Sequence, residues 1–184
     1  MPLKYQVPDD KKVRVIVDSD AACEADDPFA IAHALLCDKF IVKAIFAEHF
    51  NCEGSMKQSF EEIQRVVKAM KKEVPVLMGE IGKLSEKGTG EISEASSFLI
   101  REALREDDKP LYVLCIGAIT NIASAIQACP DIVPRMTVVW IGGQSHEHST
   151  GEVREFNAGN DIEAANLVLG SGVRFWQIPN DVYG

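Results

Sequence analysis

Four aspartates lie close together near the N-terminus, directly after a short apolar run. Residues 13–27 read VRVIVDSDAACEADD, so Asp18 and Asp20 end the run, and Asp26 and Asp27 follow after a short loop. Carboxylates this close repel one another unless a cation or protons neutralise them. Hard cations such as Ca²⁺ and Mg²⁺ bind oxygen clusters of this kind. The motif therefore predicts a metal-dependent site at the start of an α/β domain. The alternative is a solvated acidic loop that only caps the next helix.

The size and charge of the chain limit the kinds of protein it can be. Its 184 residues, 46% of them hydrophobic and 26% charged, are typical of a single globular domain over residues 1–184. A net charge of −9 with scattered Lys and Arg argues against binding to nucleic acid, because phosphates require a basic face. No apolar stretch is long enough to cross a membrane, so we expect no membrane partner.

The N-terminal residues and the cysteines indicate a cytoplasmic protein. Residues 1–12 lack the apolar segment of a signal peptide. The five cysteines include no Cys-x-x-Cys pair, which is typical of reduced thiols. Cys23, inside the acidic loop, is the one cysteine whose reactivity we would test.

Short β-branched runs alternate with longer segments that have helical apolar spacing. We expect strands over 13–17, 41–47, 75–78, 111–116, 137–141 and 173–178, and helices from residue 27 and over 56–70, 95–103, 119–126 and 161–170. Residues 79–90 and 144–160 are expected to be loops. Asp27 before Pro28 predicts one helix N-cap, and the spacing of Asn160 and Glu163 predicts a capping box at another.

The order of these elements predicts how the polar residues come together. Near-continuous apolar strands between helices favour an α/β fold, a predominantly parallel open sheet flanked by helices and Rossmann-like in type. Ligands of such sheets bind outside the carboxyl ends of the strands. The acidic loop, His49, Asn51, Gly117 and the segment 142–157 all follow predicted strands. We therefore expect them to share one rim.

Five segments of the chain, in order, resemble the nucleoside hydrolases, a family of Ca²⁺-binding enzymes that cleave N-ribosides. They are VDSDAACEADDPFAIAHAL (17–35), AIFAEHFN (44–51), IGAITNIASAI (116–126), WIGG (140–143) and REFNAGNDIEAANLVL (154–169). The resemblance covers nearly the whole chain and implies the N-terminal part of a nucleoside hydrolase fold. It implies calcium-dependent hydrolysis of the N-glycosidic bond of ribonucleosides or related N-ribosides.

The resemblance also implies a set of metal ligands. Asp20 would bridge the calcium ion and activate water, which makes it the catalytic residue. Asp27 would ligate the metal from the start of the helix, and Ile116 would offer its backbone carbonyl. Asp18 would instead shape the loop by accepting backbone hydrogen bonds.

Four further residues are implied as sugar ligands. Asp26, Asn51, Glu155 and Asn157 correspond to residues that bind ribose hydroxyls in the family. Simpler interpretations are open: Asp26 favours the helix dipole, Asn51 could end a strand, and Glu155 and Asn157 could mark a transition from loop to helix.

The reaction explains why these residue types occur. Cleavage of an N-glycoside passes through an oxocarbenium-like state, which nearby negative charge stabilises. A bound metal lowers the pKa of its water and a carboxylate takes the proton. Groups that hold the sugar hydroxyls fix the reacting carbon over that water.

The chain departs from the family pattern in two ways. Five residues, AACEA (21–25), separate the Asp-x-Asp from the Asp-Asp pair, more than is usual in the family. Family members also continue beyond the position of Gly184, in a part that carries a further metal-ligating aspartate and the groups that protonate the leaving base. A sheet edge without that part would expose apolar surface. We therefore expect a homo-oligomer, or association with the missing C-terminal segment. The preferred base stays open.

Other functions fit part of the pattern. In a haloacid-dehalogenase-like phosphatase, Asp18 would be the nucleophile, Asp20 the acid and base, and Mg²⁺ the cofactor, but the Asp26–Asp27 pair would have no role. A truncated, non-catalytic relative of the hydrolases is a second alternative. His146 and His148 form only a weak zinc pattern, because no third ligand lies at helical spacing.

Some polar and aromatic residues near these motifs are expected to be structural. We expect His49 to be packed or hydrogen-bonded, Asn121 to begin a helix, and Trp140 and Trp176 to lie in the core.

Overall fold

The described residues form a six-stranded parallel sheet with helices on both faces. The computed structural model describes residues 6–86, 92–145 and 155–183. The strands are β1 (Val13–Ser19), β2 (Phe40–Ala47), β3 (Val76–Met78), β4 (Leu111–Cys115), β5 (Met136–Ile141) and β6 (Arg174–Ile178). The helices are α1 (Asp26–Leu36), α2 (Ser55–Ala69), α3 (Glu94–Leu104), α4 (Thr120–Ala128), α5 (Phe156–Asn160), α6 (Ile162–Gly170) and α7 (Asn180–Tyr183). Short 3-10 helices cover Asp9–Lys11, Leu84–Glu86 and Pro130–Arg135.

The strand order places a crevice at the centre of the sheet. The order is β3-β2-β1-β4-β5-β6, and every neighbouring pair is parallel. From β1 the chain adds β2 and β3 on one side, and it then returns to the centre to add β4, β5 and β6 on the other side. The connections that follow β1 and β4 therefore run in opposite directions, which leaves a crevice at the carboxyl ends of these two strands. Sheets of this kind bind ligands at that point. The predicted fold class, an open parallel α/β sheet, is confirmed.

Successive residues of a strand point to opposite faces of the sheet, so each strand contributes side chains to two separate hydrophobic clusters. Ile16 on one face belongs to a buried cluster with Leu99 of α3 and Ile122 of α4. Val17 on the other face belongs to a second cluster with Ile63 of α2. The sheet is therefore buried by different helices on its two faces, and its strand ends are held firmly.

Two short helices, α5 and α7, are not predicted from the sequence. Residues 144–160 were predicted to be a loop, but α5 occupies Phe156–Asn160, and Glu155 caps it by accepting hydrogen bonds from the N–H groups of Asn157 and Ala158. The helix is short and contains Gly159, so its apolar spacing is too brief to detect.

Two predicted helix caps are wrong. The first helix begins at Asp26, so its N-cap is Ala25, which has no polar side chain to make a cap bond. Asp27 lies inside the first turn, and its carboxylate accepts from Ser19 Oγ. The cap of α6 is Asp161, which accepts from Ala164 N–H, rather than Asn160.

The two tryptophans differ in burial. Trp140 in β5 is 1% exposed, as predicted for a core residue. Trp176 in β6 is 53% exposed, and its ring contacts Tyr112 with centroids 5.7 Å apart, so its prediction as a core residue is wrong. β6 is the last strand of the sheet, and the apolar sequence of an edge strand does not reveal whether anything covers it.

None of the helices in the described ranges combines the length and apolarity needed to cross a membrane.

Candidate active site

A cavity of about 350 Å³ lies at the carboxyl edge of the sheet, beside the crevice between β1 and β4. Six of the seven residues predicted to form the site line it: Asp20, Asp26, Asp27, Ile116, Glu155 and Asn157. They come from the end of β1, the start of α1, the end of β4 and the start of α5. The parallel sheet brings them together because all these strands end at the same edge.

Asp20 and Asp27 are the buried acids of this cavity. Asp20 is 2% exposed and Asp27 is 6% exposed. Burial, reinforced by the charge of Asp27, raises the pKa of Asp20 to about 8. Burial also raises the pKa of Asp27 to about 6, although a hydrogen bond from Ser19 Oγ opposes the shift. Both carboxylates therefore lie in surroundings that favour either a proton or a cation beside them.

The backbone at Gly117 packs closely against Asp20. A Cβ atom at this glycine would lie 3.0 Å from Asp20 Oδ1 and 3.2 Å from its backbone nitrogen. The buried Trp140 fixes the glycine, since its Nε1–H donates to the Gly117 carbonyl at 2.9 Å. The Asp20 carboxylate thus rests against a backbone that cannot carry a side chain without displacing it.

Ile116 lines the same cavity, and its carbonyl oxygen lies near Asn157. The Asn157 Nδ2–H group donates to the Ile141 carbonyl at 2.8 Å and, more weakly, to the Ile116 carbonyl at 3.4 Å. Because Nδ2 is used by these carbonyls, the side-chain oxygen of Asn157 is the atom left for a ligand.

The oxygen donors of the cavity fit a hard cation. Among residues 6–86, 92–145 and 155–183, no three His, Cys, Asp or Glu side chains are grouped so that they alone could hold a metal ion. The candidate donor set is instead two carboxylates, Asp20 and Asp27, with the Ile116 carbonyl. Ca²⁺ accepts such mixed oxygen ligands, and a positive charge here would relieve the mutual repulsion of the two acids.

The acidic loop adds charge at the cavity mouth. Asp26 is exposed in the first turn of α1, and Glu24 and Cys23 line the wall beside it. Burial and the charge of Asp20 raise the pKa of the Cys23 thiol to about 11. Cys23 therefore stays a protonated thiol at neutral pH and is a poor nucleophile.

Asn51 is the predicted site residue that does not line the cavity. It is exposed after β2 with a left-handed backbone, φ 57°. Its N–H donates to Nδ1 of His49 at 3.2 Å. Its implied contact with a sugar stays a prediction.

Asp18 points away from the cavity into the core. It is fully buried, and its Oδ1 accepts a hydrogen bond from Asn121 Nδ2 at 2.8 Å. This partner is a side chain, whereas backbone donors were expected. The carboxyl of Glu48 is also fully buried beside it, and burial raises the pKa values of both acids. A nucleophile in this position could not reach a substrate, so the phosphatase alternative lacks structural support.

Other residues near the motifs have structural roles. His49 is fully buried, and its Nε2 forms a hydrogen bond with Thr120 Oγ1 at 2.8 Å. Asn121 lies in the first turn of α4, where its N–H donates to Glu48. Both expectations are confirmed. His146 and His148 lie outside the described residues.

The sequence motifs missed Glu48 and Tyr183. Glu48 lies inside one of the recognised segments, directly after β2, and only the folded chain shows that this acid is fully buried. Tyr183 lines the cavity from α7, where no nearby motif marks it.

Comparison with known proteins identifies the family. The family profile described as inosine-uridine preferring nucleoside hydrolase matches residues 15–183. The non-specific ribonucleoside hydrolase RihC of Escherichia fergusonii is 35% identical over 91 residues, which are 48% of this chain and 30% of that protein. Two solved structures share the fold. An inosine-guanosine nucleoside hydrolase has a TM-score of 0.73 at 24% identity, over 90% of this chain and 59% of the other. A plant nucleoside hydrolase, the PpNRh1 enzyme, has a TM-score of 0.74 at 17% identity, over 92% and 60%. The chain thus spans about three fifths of the solved structures it matches, and it belongs to the inosine-uridine preferring nucleoside hydrolase family.

Proposed function

We propose that the chain hydrolyses the N-glycosidic bond of ribonucleosides or related N-ribosides and uses Ca²⁺ as its cofactor. The observation that carries the proposal is the pairing of two buried carboxylates, Asp20 and Asp27, in one cavity with the Ile116 carbonyl. Family membership supports the reaction type. The oxygen-only donor set supports the choice of cation.

Asp20, Asp27 and the Ile116 carbonyl would hold the cation. When bound, Ca²⁺ would lower the pKa of a water molecule and could ligate sugar hydroxyls. Asp20 is the candidate general base, because it is buried in the cavity and rests on Gly117 in a fixed position. A carboxylate held in this way takes a proton from water without the cost of first becoming ordered.

The sugar would lie against the acidic wall. Asp26 and the side-chain oxygen of Asn157, which both line the cavity, would accept hydrogen bonds from hydroxyl groups, and the nearby negative charge would stabilise an oxocarbenium-like state. Asn51 and Glu155 are the other proposed sugar residues. Which base leaves is not fixed by these residues.

The test is release of reducing sugar from a panel of purine and pyrimidine ribonucleosides with Ca²⁺ present. We expect Asp20→Asn to lower the rate by a factor of about 100 or more, because general-base assistance is worth about that much. Asp38→Asn is the matched control, since Asp38 is exposed at the far end of α1. Loss of Ca²⁺ binding in Asp20→Asn and Asp27→Asn, measured by calorimetry, tests the cation site separately. Calcium binding without sugar release from any nucleoside would favour a non-catalytic relative.

Association and compartment complete the proposal. The exposed Trp176 on edge strand β6 supports association with a second copy or with another polypeptide segment. Sedimentation would show a mass above the 20.2 kDa of one chain. The five free cysteines support a reducing, cytoplasmic compartment.

A further inference from the structure

The buried histidine that follows β2 uses both of its ring nitrogens for hydrogen bonds. His49 Nδ1 lies 3.2 Å from the backbone nitrogen of Asn51, and Nε2 lies 2.8 Å from Thr120 Oγ1. A backbone N–H group can only donate, so Nδ1 is the acceptor of the first bond and carries no proton. The ring proton is therefore on Nε2, and the hydrogen-bond network assigns one tautomer to His49.

A line of buried hydrogen bonds continues from Nε2. The Nε2–H group donates to Thr120 Oγ1, and the Thr120 hydroxyl donates in turn to Asp161 Oδ2 at 2.8 Å. Thr120 is 0% exposed and Asp161 is 1% exposed. Glu48 Oε1, which lies 3.6 Å from Nε2, adds a carboxyl oxygen on the same side of the ring. These oxygens favour a proton on Nε2 over one on Nδ1.

The far end of this line is fixed to two other segments. Asp161 Oδ2 also accepts from the N–H group of Leu84 at 2.7 Å, in the connection between β3 and α3. Its Oδ1 accepts from Ala164 N–H at 3.0 Å, in the first turn of α6. The carboxylate is thus held by backbone donors on both oxygens, and the imidazole of His49 cannot rotate without breaking a buried bond.

The near end of the line supports a backbone conformation that needs support. Asn51 has a φ of 57°, in the left-handed region that residues other than glycine seldom adopt. Its N–H group donates to His49, and the N–H group of Phe50 donates to Ser55 Oγ at 3.2 Å. The turn between β2 and α2 is therefore tied both to the buried imidazole and to the start of α2. Since φ sets the direction in which a side chain leaves the backbone, these bonds orient the exposed Asn51.

We propose that His49 is a positioning residue for Asn51. Its unprotonated Nδ1 holds the Asn51 N–H group and so keeps the Asn51 amide in the orientation that binds the sugar, while Thr120 and Asp161 keep the ring in the required tautomer. The inference rests on the proposed function, because that function makes Asn51 a sugar residue. His49 itself touches no substrate.

The main experiment separates the two ring nitrogens. His49→Gln puts an amide near the position of Nε2, where it can still donate to Thr120, but it leaves no acceptor at the position of Nδ1. His49→Asn does the opposite, because its side-chain oxygen lies near the position of Nδ1 and can accept from Asn51 N–H. KM and kcat for a cleaved ribonucleoside would be measured for both variants.

The two variants should rank in an order that packing does not produce. We expect His49→Gln to raise KM about 3- to 10-fold, the effect of losing one hydrogen bond, with a smaller change in kcat. His49→Asn should recover most of the wild-type KM, although it leaves the larger void and should unfold at a lower temperature. His33→Asn is the control, since His33 is exposed on α1. A KM that rises more in His49→Asn than in His49→Gln would mean that His49 only fills space and would overturn the inference, as would an unchanged KM in His49→Gln.

A double-mutant cycle tests whether the effect passes through Asn51. Asn51→Gly removes the side-chain amide, and glycine adopts a positive φ without strain. Adding His49→Gln to Asn51→Gly should raise KM no further, because the group that His49 positions is already gone. Fully additive effects of the two substitutions would show that His49 does not act through Asn51.

Measurements on the ligand-free protein separate this inference from the proposed function. A long-range ¹H–¹⁵N spectrum of the wild type should show a proton on Nε2 and none on Nδ1, for the histidine signal that His49→Asn lacks. The Asn51 amide proton should exchange with water faster in His49→Gln than in the wild type. A proton on Nδ1 would overturn the inference whatever the activity. If the wild type cleaves no nucleoside, the proposed function and the sugar role of Asn51 fail together, whereas the spectrum still decides whether His49 holds the Asn51 backbone.

Discussion

Replacing Gly117 by alanine should displace Asp20 without removing any polar group. The new Cβ would lie 3.0 Å from Asp20 Oδ1, 3.1 Å from its Cγ and 3.2 Å from its backbone nitrogen. Ordinary contacts begin near 3.4 Å, so the neighbours are too close by about 0.4 Å. The glycine cannot retreat freely, because Trp140 holds its carbonyl at 2.9 Å. The Asp20 carboxylate must therefore take up most of the shift.

The size of the effect follows from that displacement. A misplacement of about 1 Å in an active site costs about 100-fold in rate, so a shift of about 0.4 Å should lower kcat/KM roughly 5- to 10-fold. Overpacking of this kind also costs about 1–3 kcal/mol of stability. Nucleoside hydrolysis and thermal unfolding would measure the two effects in the same preparation.

The control for this substitution is Gly170→Ala. Gly170 ends α6, and a Cβ atom there meets nothing within 4 Å. Alanine at this site should leave kcat/KM unchanged and alter stability by less than about 1 kcal/mol, since it only removes backbone freedom. If Gly117→Ala also kept the wild-type kcat/KM and unfolding temperature, the claim that Gly117 fixes Asp20 would be wrong.

Two further predictions concern charge. With a chelator present, burial and the neighbouring acids raise the pKa of Asp20 from 3.8 to about 8, so the folded state binds this proton more tightly than the unfolded state. Stability from this group is full below about pH 4 and is lost as the pH rises through about 8. Thermal unfolding should show a smaller loss over this range in Asp20→Asn than in the wild type, because the raised pKa values of Asp18, Asp27 and Glu48 remain in the variant. At the opposite end of the sheet, the buried Arg14 donates to Glu102 Oε1 at 3.0 Å. Glu102→Ala removes this carboxylate but leaves Arg14 with Asp107 at 3.8 Å and the Lys109 carbonyl at 2.8 Å, so it should cost about 1.5–3 kcal/mol in urea unfolding. Glu106→Ala, which breaks an exposed pair, should cost less than about 1 kcal/mol.

The sequence was sufficient for the fold and for most of the cavity wall because both depend on local patterns. Apolar runs mark the strands, and parallel strands end at one edge, so Asp20 and Ile116 had to meet once the sheet was inferred. The error at Trp176 has a different origin, since its exposure depends on what lies outside an edge strand.

The role of Glu155 could not be read from the sequence. Its carboxylate accepts four hydrogen bonds from the loop after β5, from α5 and from α7, and only the folded chain shows that they converge on one residue. A motif identifies a residue type at a position, but it does not show whether the polar atoms of that residue are still free. Tyr183 was missed for the same reason, because only the folded chain brings its hydroxyl to Glu155 and its ring to the cavity.

The two aspartates of the Asp-x-Asp motif have separate tasks, and Asp18→Asn tests this division. Within a strand, residues two apart point to the same face of the sheet. Asp18 lies inside β1, whereas Asp20 follows its last residue, Ser19, so the two aspartate side chains can point in different directions. Asp18 Oδ1 accepts from Asn121, and no described residue supplies a conventional hydrogen-bond partner for Oδ2. Burial raises the pKa values of both Asp18 and Glu48, which favours a protonated acid in this pair.

Asparagine at position 18 reproduces the protonated acid. Its oxygen can accept from Asn121, and its amide can donate toward Glu48. We therefore expect Asp18→Asn to fold with a stability within about 1 kcal/mol of the wild type and to keep most of its hydrolytic activity. Asp18→Leu leaves Asn121 Nδ2 with only the Ala47 carbonyl at 3.2 Å and removes the acid beside the buried Glu48, so it should cost about 1–3 kcal/mol. Unfolding curves and sugar release measure both. A phosphatase that used Asp18 as its nucleophile would lose all activity in Asp18→Asn, so retained sugar release in this variant, with loss in Asp20→Asn, would assign the chemistry to the second aspartate alone.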